Sequence, residues 1–177
     1  IISPQKNLLN LLKAFSTFKK RQKSGMQLVM TGNEGFNFEA FSTSLQTYKL
    51  RAQVKLLPHL GPEEKKEIFA GSYALIIPSG FDSCAENIFF AMQNSIPVLA
   101  AENTMAVELC GEAGIYFNSN DIKNMAEKMM FIFKDEDKRK ELIEMGKKRF
   151  PLFNWDKSAE KFFHIIFQQY QSNENFL

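Results

Sequence analysis

The sequence of 177 residues lacks several features that mark particular classes of protein. Its two cysteines, Cys84 and Cys110, are too few for a disulfide framework, and they form neither a CxxC pair nor a cluster with histidine. Only two histidines occur, His59 and His164, and their spacing does not suit metal ligands. The sequence therefore offers no metal site and favours a reduced, cytoplasmic setting.

Long apolar runs and an excess of one charge are also missing. No apolar stretch approaches the ~18 residues of a transmembrane helix, and no signal peptide is visible. The 22 basic residues are balanced by 20 acidic ones, and a net charge of +2 gives no reason to expect a nucleic-acid partner. The densest basic run, KKRQK at 19–23, has two interpretations: the solvated end of a helix, or a contact with anionic lipid or a polyanionic acceptor.

Short apolar runs alternate with amphipathic segments along the chain. Predicted strands cover residues 25–32, 53–58, 73–79, 96–102 and 115–117, and predicted helices cover 5–22, 38–50, 61–72, 85–95, 104–114, 120–133, 135–150 and 155–170. Apolar strands that alternate with helices form a parallel sheet covered on both faces. We therefore predict one α/β domain over residues 1–177, with a doubly wound, Rossmann-like parallel sheet and helices on both faces.

Two further expectations concern the ends of the chain. The first residues, IISPQKN, lie within a predicted strand-to-helix transition, so we expect the chain to be a fragment of a longer protein. Near the other end, Trp155 and the phenylalanines behind it are predicted to be core or helix-docking residues and not a platform for a ligand.

Ligands of a doubly wound sheet bind in the crevice beyond the carboxyl ends of the strands. The segments there are the chain around Lys6 and the loops GNEG (32–35), PHLG (58–61), PSGFDSCAEN (78–87) and AENTM (101–105). GNEG lies between a strand and a helix, where free amides suit a phosphate. It is neither GxGxxG nor a P-loop, so a plain structural turn is the alternative. Lys6 could neutralise a phosphate or be solvated.

The loop PSGFDSCAEN is the most informative of these segments. A buried strand ends at Pro78, and a helix begins near Ala85 or Glu86, so the first amides of the helix could hold a diphosphate. Asp82 either accepts hydrogen bonds from sugar hydroxyls or only caps the helix, and the sequence leaves both open. Cys84 has no histidine near it in sequence, which argues against a nucleophile.

Read in order, these segments resemble the carboxyl-terminal, donor-binding domain of retaining glycosyltransferases with the GT-B fold, the glycosyltransferase group 1 (family 4) class. The matching pieces are Lys6-Asn7, VMTGNEG, VKLLPHLGPEEKKEIFAGS, LIIPSGFDSCAENIFFAMQNSIPVLA, ELCGEAG at 108–114, and Phe153-Asn154-Trp155. They keep the family's order and spacing from Lys6 to about Tyr170. The resemblance implies the C-terminal half of a GT-B fold, with an amino-terminal acceptor domain as its partner.

The resemblance also implies roles for individual residues. Asp82 would contact the hydroxyls of the donor sugar, and Lys6 would stabilise the diphosphate, together with an arginine expected just before Ile1. The turn with Gly32, Asn33 and Glu34 would lie near the diphosphate or the anomeric centre, and the loop with His59 and Leu60 near the nucleobase. Backbone amides facing the sugar and diphosphate would belong to five consecutive residues: Ser83, Cys84, Ala85, Glu86 and Asn87.

Some positions depart from the family's pattern. Asp82 stands where the family has glutamate, which shortens the reach of the carboxylate by one methylene. Phe90 stands where the family has a second acid that holds the nucleotide ribose, and a phenyl ring cannot accept a hydrogen bond from a hydroxyl. Glu86 could substitute for that acid, although it sits on a different turn of the helix. Ser95 replaces a glycine, which is a mild change.

The activity implied by the resemblance is transfer of a hexosyl group from a nucleotide-diphosphate sugar to a polysaccharide or glycolipid, with retained anomeric configuration. No cofactor and no metal ion are expected. Phe90 keeps open an alternative, a degenerate member that serves as a binding or scaffolding subunit. An unrelated Rossmann-like module and a UDP-sugar epimerase of the same fold are further alternatives. We expect a cytoplasmic protein whose full-length form could contact the inner face of a membrane.

Overall fold

The computed structural model describes residues 3–36, 38–80, 85–102 and 104–174. The strands are β1 (Leu28–Thr31), β2 (Val54–Leu57), β3 (Leu75–Ile77), β4 (Val98–Ala101) and β5 (Gly114–Phe117). The helices are α1 (Leu8–Gln22), α2 (Phe38–Thr47), α3 (Pro62–Ala70), α4 (Ala85–Gln93), α5 (Thr104–Cys110), α6 (Ile122–Lys134), α7 (Glu136–Arg149) and α8 (Trp155–Glu174). The predicted sugar-contact residue Asp82 and its neighbours Ser83 and Cys84 lie outside the described residues.

The predicted order of strands and helices is confirmed, with differences at the ends of elements. The predicted helix 38–50 ends at Thr47, before Lys49 takes a left-handed φ of 56°. The predicted helix 104–114 is divided into α5 and a 3-10 turn over Gly111–Ala113. A carboxylate oxygen of Asp121 accepts a hydrogen bond from the amide of Asn124 at 2.9 Å, which begins α6.

All strands in the described ranges pair in parallel, as predicted. Their hydrogen bonds form two ladders, β1 with β2, and β4 between β3 and β5. Leu28 pairs with Val54 in the first ladder. In the second ladder, Val98 pairs with Leu75 on one side and Gly114 on the other. The sequence predicts a single sheet, whereas the structure has two ladders that share an apolar core.

Helices cover the strands on both faces because successive residues of a strand point to opposite sides. One core gathers Leu99 of β4 with Leu28 of β1 and with residues of α1, α2 and α6, so it spans both ladders. The other core gathers Val98 of β4 with Ile88 of α4 and with α5. Every residue of β4 is buried, which explains why its sequence is apolar throughout and not alternating.

Helix α8 belongs to neither core. Trp155 at its start is 88% exposed. Six further large apolar side chains follow at helical spacing, and all are exposed: Phe162, Phe163, Ile165, Ile166, Phe167 and Tyr170. Of the two predicted roles for Trp155 and these phenylalanines, that of core residues is wrong for this chain, because sequence periodicity identifies an apolar helix face but not what covers it. Docking against another helix stays a prediction. No helix in the described part of the chain is long and apolar enough to cross a bilayer.

Candidate functional site

The chain around Lys6 is fixed to the carboxyl ends of the second ladder by a neighbouring side chain. The side-chain amide of Asn7 donates hydrogen bonds to the carbonyl oxygens of Pro78, at 2.9 Å, and Ser119, at 2.7 Å. Pro78 follows β3, and Ser119 follows β5. Asn7 has a left-handed φ of 55°, a conformation that asparagine tolerates better than most residues. Asn7 thereby ties the start of α1 to two strand ends.

A third hydrogen bond fixes the same segment on the other side of Lys6 in the sequence. The hydroxyl of Ser79 donates to the carbonyl oxygen of Gln5 at 3.0 Å, and Ser79 is buried, with 2% exposure. Lys6 lies between these two tethered residues, with a half-buried side chain. We call this set, Gln5, Lys6 and Asn7 with Pro78, Ser79 and Ser119, the Lys6 anchor. It places Lys6 where the sequence predicts it, at the carboxyl edge of the sheet.

The turn after β1 is joined to the loop after β2. The amide of Gly32 donates to the carbonyl oxygen of Leu57 at 3.0 Å. Gly32 has a φ of 137°, a conformation that glycine adopts without strain. Asn33 and Glu34 continue the turn and are exposed. Two of the predicted ligand loops therefore begin side by side, as the parallel pairing of β1 and β2 requires.

The start of α4 faces the start of α3 through an ion pair. Lys65 of α3 donates to the carboxylate of Glu86, in the first turn of α4. This hydrogen bond and the charge of Lys65 lower the pKa of Glu86, and the nearby His59 adds to the effect. His59 and Leu60 belong to the loop after β2, where His59 is exposed and Leu60 half-buried. The loop after β2 therefore brings the charge of His59 near enough to the first turn of α4 to act on Glu86.

Phe90 lies in the contact between α3 and α4. Its ring packs edge-to-face on the ring of Phe69, with centroids 4.9 Å apart and an interplanar angle of 81°. The ammonium group of Lys65 lies 5.2 Å from the centroid of the Phe90 ring. We call His59, Lys65, Phe69, Glu86 and Phe90 the Glu86 group. A direct contact between Phe90 and a donor stays a prediction.

The structure thus places the predicted site residue Lys6 in one set, the Lys6 anchor, and three others in a second set, the Glu86 group: His59, Glu86 and Phe90. The loop 78–87 connects them, and Ala85 and Asn87 lie half-buried in the first turn of α4. The roles predicted for Asp82, Ser83 and Cys84 stay predictions. Sequence reasoning overlooked two features: the hydrogen bonds by which Asn7 holds two strand ends, and the ion pair between Lys65 and Glu86. Neither carries a local signal, because their partners lie 71, 112 and 21 residues away.

The side chains of the described residues include no group of three histidine, cysteine, aspartate or glutamate residues that could hold a metal ion. Cys110 is buried in the core that contains Val98 and Ile88. The expectation of metal-free chemistry stays a prediction.

Comparison with known proteins gives a family for the chain. The family model described as glycosyl transferases group 1 matches residues 2–149. O-antigen chain mannosyltransferase B of Escherichia coli is 20% identical over 155 residues, which cover 88% of this chain and 41% of that protein. This chain therefore spans less than half the length of the curated relative.

Solved structures show the same fold. Sucrose-phosphate synthase from Thermosynechococcus elongatus superposes with a TM-score of 0.80 at 20% identity, over 96% of this chain and 44% of that one. HepE of Anabaena, solved in complex with UDP, superposes with a TM-score of 0.69 at 18% identity, over 84% of this chain and 42% of that one. The resemblance to the carboxyl-terminal domain of GT-B glycosyltransferases is confirmed. Because the family model matches most of its length, this chain belongs to the glycosyl transferases group 1 family.

Proposed function

We propose that this chain is the donor-binding half of a retaining glycosyltransferase. It would bind a nucleotide-diphosphate sugar at the carboxyl edge of its strands. The hexosyl group would pass to a polysaccharide or glycolipid acceptor on the amino-terminal domain of the full-length protein. Membership of the family supports the reaction class, and the complex of HepE with UDP-glucose supports the class of donor. The observation that carries the proposal is the Lys6 anchor, which holds a lysine at the edge where a diphosphate would lie.

The chemistry assigned to the site is electrostatic. Lys6 stabilises the negative charge that develops on the departing diphosphate. The first amides of α4, at Ala85, Glu86 and Asn87, present the positive end of the helix to the same diphosphate. Asp82 accepts hydrogen bonds from the sugar hydroxyls and orients the anomeric carbon. These groups meet the charge of the donor without a metal ion or another cofactor.

The proposal is tested by calorimetry on the full-length protein with a panel of UDP-, GDP- and ADP-sugars. Lys6→Ala should weaken binding of the preferred donor by about tenfold or more, because a charge-assisted hydrogen bond is lost. Asp82→Ala should weaken binding of the sugar nucleotide but not of the free nucleoside diphosphate. Lys20→Ala, which removes an exposed lysine near the other end of α1, is the matched control. Failure of the full-length protein to bind any donor in the panel would overturn the proposal.

A second candidate function is that of a degenerate binding or scaffolding subunit without transferase activity. The packing of Phe90 between Phe69 and Lys65 favours it, because this position offers no acceptor to a nucleotide. A folded full-length protein that binds a partner protein but no sugar nucleotide would support this candidate.

We further propose a cytoplasmic protein that contacts the inner face of a membrane through its full-length form. In this chain, the basic run 19–23 ends α1, and the ammonium group of Lys19 donates to the carbonyl oxygens of Ser24 and Met26. These bonds tie the last turn of α1 to the chain that follows it and support the helix-end interpretation of Lys19. Binding of the full-length protein to vesicles of phosphatidylcholine with and without phosphatidylglycerol tests the membrane contact, which absence of binding to either would contradict.

A further inference from the structure

The first turn of α4 carries a carboxylate that is held in one place and yet open to solvent. The side chain of Glu86 is 84% exposed, whereas that of its partner Lys65 is only 21% exposed. Lys65 contacts Glu86 through one carboxylate oxygen, Oε1. A carboxylate has two oxygens and about four acceptor positions, so the pair leaves acceptors of Glu86 for a ligand.

Lys65 is itself held by the aromatic side chains beneath it. Its ammonium group lies over the ring of Phe90, at 5.2 Å, and that ring is fixed edge-to-face against Phe69. A cation over an aromatic face is attracted to it, and the attraction restricts where the ammonium group can go. Glu86 and Phe90 are four residues apart, on the same face of α4, so one lysine can contact both. Phe90 thus supports Lys65, and Lys65 supports Glu86.

The chemistry of this carboxylate matches a general way of binding nucleotides. In doubly wound folds, an acidic side chain at the carboxyl edge accepts hydrogen bonds from ribose hydroxyls. Glu86 stands at that edge, in the first turn of α4, and its carboxylate is paired with Lys65 of α3. A ribose diol presents two donors close together, which suits a fixed carboxylate better than a neutral or mobile acceptor.

We propose that Glu86 binds the ribose hydroxyls of the donor nucleotide and that Lys65 is the residue that positions it. Phe90 and Phe69 act through Lys65 and touch no ligand in this arrangement. The inference deepens the proposed function and rests on it, since it names the part of the donor that the Glu86 group recognises. The role assigned to Lys65 is to position Glu86. This role is separate from the contacts with the diphosphate that are predicted for Lys6 and for the first amides of α4.

The test measures how well the full-length protein distinguishes ribose from deoxyribose. UDP, GDP and ADP and their 2′-deoxy counterparts are titrated by calorimetry, and the ratio of the two affinities is taken for the best-bound base. The wild type should prefer the ribose form by about tenfold, the effect of one charge-assisted hydrogen bond. Glu86→Gln and Lys65→Met should each bring this ratio close to one, and Lys65→Arg should restore most of it.

Lys66→Met is the matched control. Lys66 lies next to Lys65 on α3 and pairs with Glu63 at 3.6 Å, with both side chains exposed, so the variant removes an ion pair outside the Glu86 group. Its ribose preference should equal that of the wild type. A ratio unchanged in Glu86→Gln, with UDP, GDP or ADP still bound, would overturn this inference and leave the proposed function standing. A wild type that binds none of the nucleotides would overturn both. A merely structural role for Lys65 would lower the affinity for both forms of the nucleotide equally.

Discussion

The Lys6 anchor and the Glu86 group stand at the same edge of the sheet but are held by different kinds of interaction. In the Lys6 anchor, uncharged side chains of Asn7 and Ser79 bond to backbone carbonyl oxygens, and Ser79 is buried. In the Glu86 group, a mostly exposed carboxylate meets a lysine. Bonds to the backbone respond little to salt or pH, whereas an exposed ion pair is screened and titrates. The Lys6 anchor is therefore the rigid side of the site under all conditions, whereas the Glu86 group is held in place only as long as salt and pH preserve its ion pair.

The largest effect on the free energy of unfolding is expected from a substitution that breaks the Lys6 anchor. Asn7→Ala removes both hydrogen bonds to Pro78 and Ser119 and puts alanine in a left-handed conformation. The free energy of unfolding should fall by about 2–3 kcal/mol, measured by urea denaturation. Asn7→Gly is the control, because it loses the same bonds without the conformational strain, and it should be the less destabilised of the two. A loss below about 0.5 kcal/mol for Asn7→Ala would show that the anchor is not rigid.

A smaller effect is expected from replacing the aromatic side chain that supports the Glu86 group. Phe90→Glu removes the edge-to-face contact with Phe69 and places a carboxylate in a half-buried position. Stability should fall by about 2 kcal/mol, while Phe90→Leu, which stays apolar, should cost about 1 kcal/mol. Lys65 offers the new carboxylate a partner, so the protein should still fold. A gain in nucleotide affinity at unchanged stability would instead mean that position 90 faces the ligand.

A gain in stability is expected at the far end of the same helix. Ser95 follows α4 with a left-handed φ of 62°, a conformation that favours glycine. The replacement of the family's glycine by Ser95, which the sequence suggests is mild, therefore carries a conformational cost. Ser95→Gly should raise the free energy of unfolding by about 1 kcal/mol without changing the ribose preference. Gln93→Gly, in the last helical position, is the control and should lower it. Equal effects of both variants would show that the conformation of Ser95 is not a source of strain.

The smallest expected effect is a change in the pKa of Glu86 when its partner Lys65 is replaced. Its pKa is lowered in the folded protein from the ordinary 4.5, chiefly by the hydrogen bond from Lys65. The pair is therefore complete at neutral pH and is lost as the pH falls through the lowered pKa. In a carboxyl NMR titration, the midpoint of Glu86 should lie below 4.5 in the wild type and move up in Lys65→Met. Lys66→Met should leave the midpoint unchanged, and a wild-type midpoint at or above 4.5 would refute the pairing.

Features encoded by neighbouring residues could be predicted from the sequence. The apolar run of β4 is buried on both faces and so reads as a continuous strand. Asp121 caps α6 through the amide three residues later, a pattern visible in a few letters. The ordered motifs also indicated the family. The chain's division into two ladders was not predictable, because the pairing of β1 with β2 and of β4 with β3 and β5 depends on contacts between distant segments.

The candidate site could be predicted only in outline. The carboxyl-edge rule brought Lys6, Gly32, His59 and Glu86 to the right end of the sheet. It could not show that Asn7 holds two strand ends or that Lys65 reaches Glu86, since these contacts depend on how α1, α3 and α4 are packed. Phe90 was recognised as a departure from the pattern, but its contact with Phe69 required the fold.

The exposed apolar side of α8 has a practical consequence for anyone who purifies this chain. The side chains of Trp155, Phe163 and Ile166 are exposed, and together with their neighbours they form an extended apolar surface in contact with solvent. Concentrated solutions of the chain by itself should become turbid as copies adhere through that surface. A version that stops after Asn154 would keep both cores and should remain clear at the same concentration, which makes the start of α8 the sensible boundary for crystallisation.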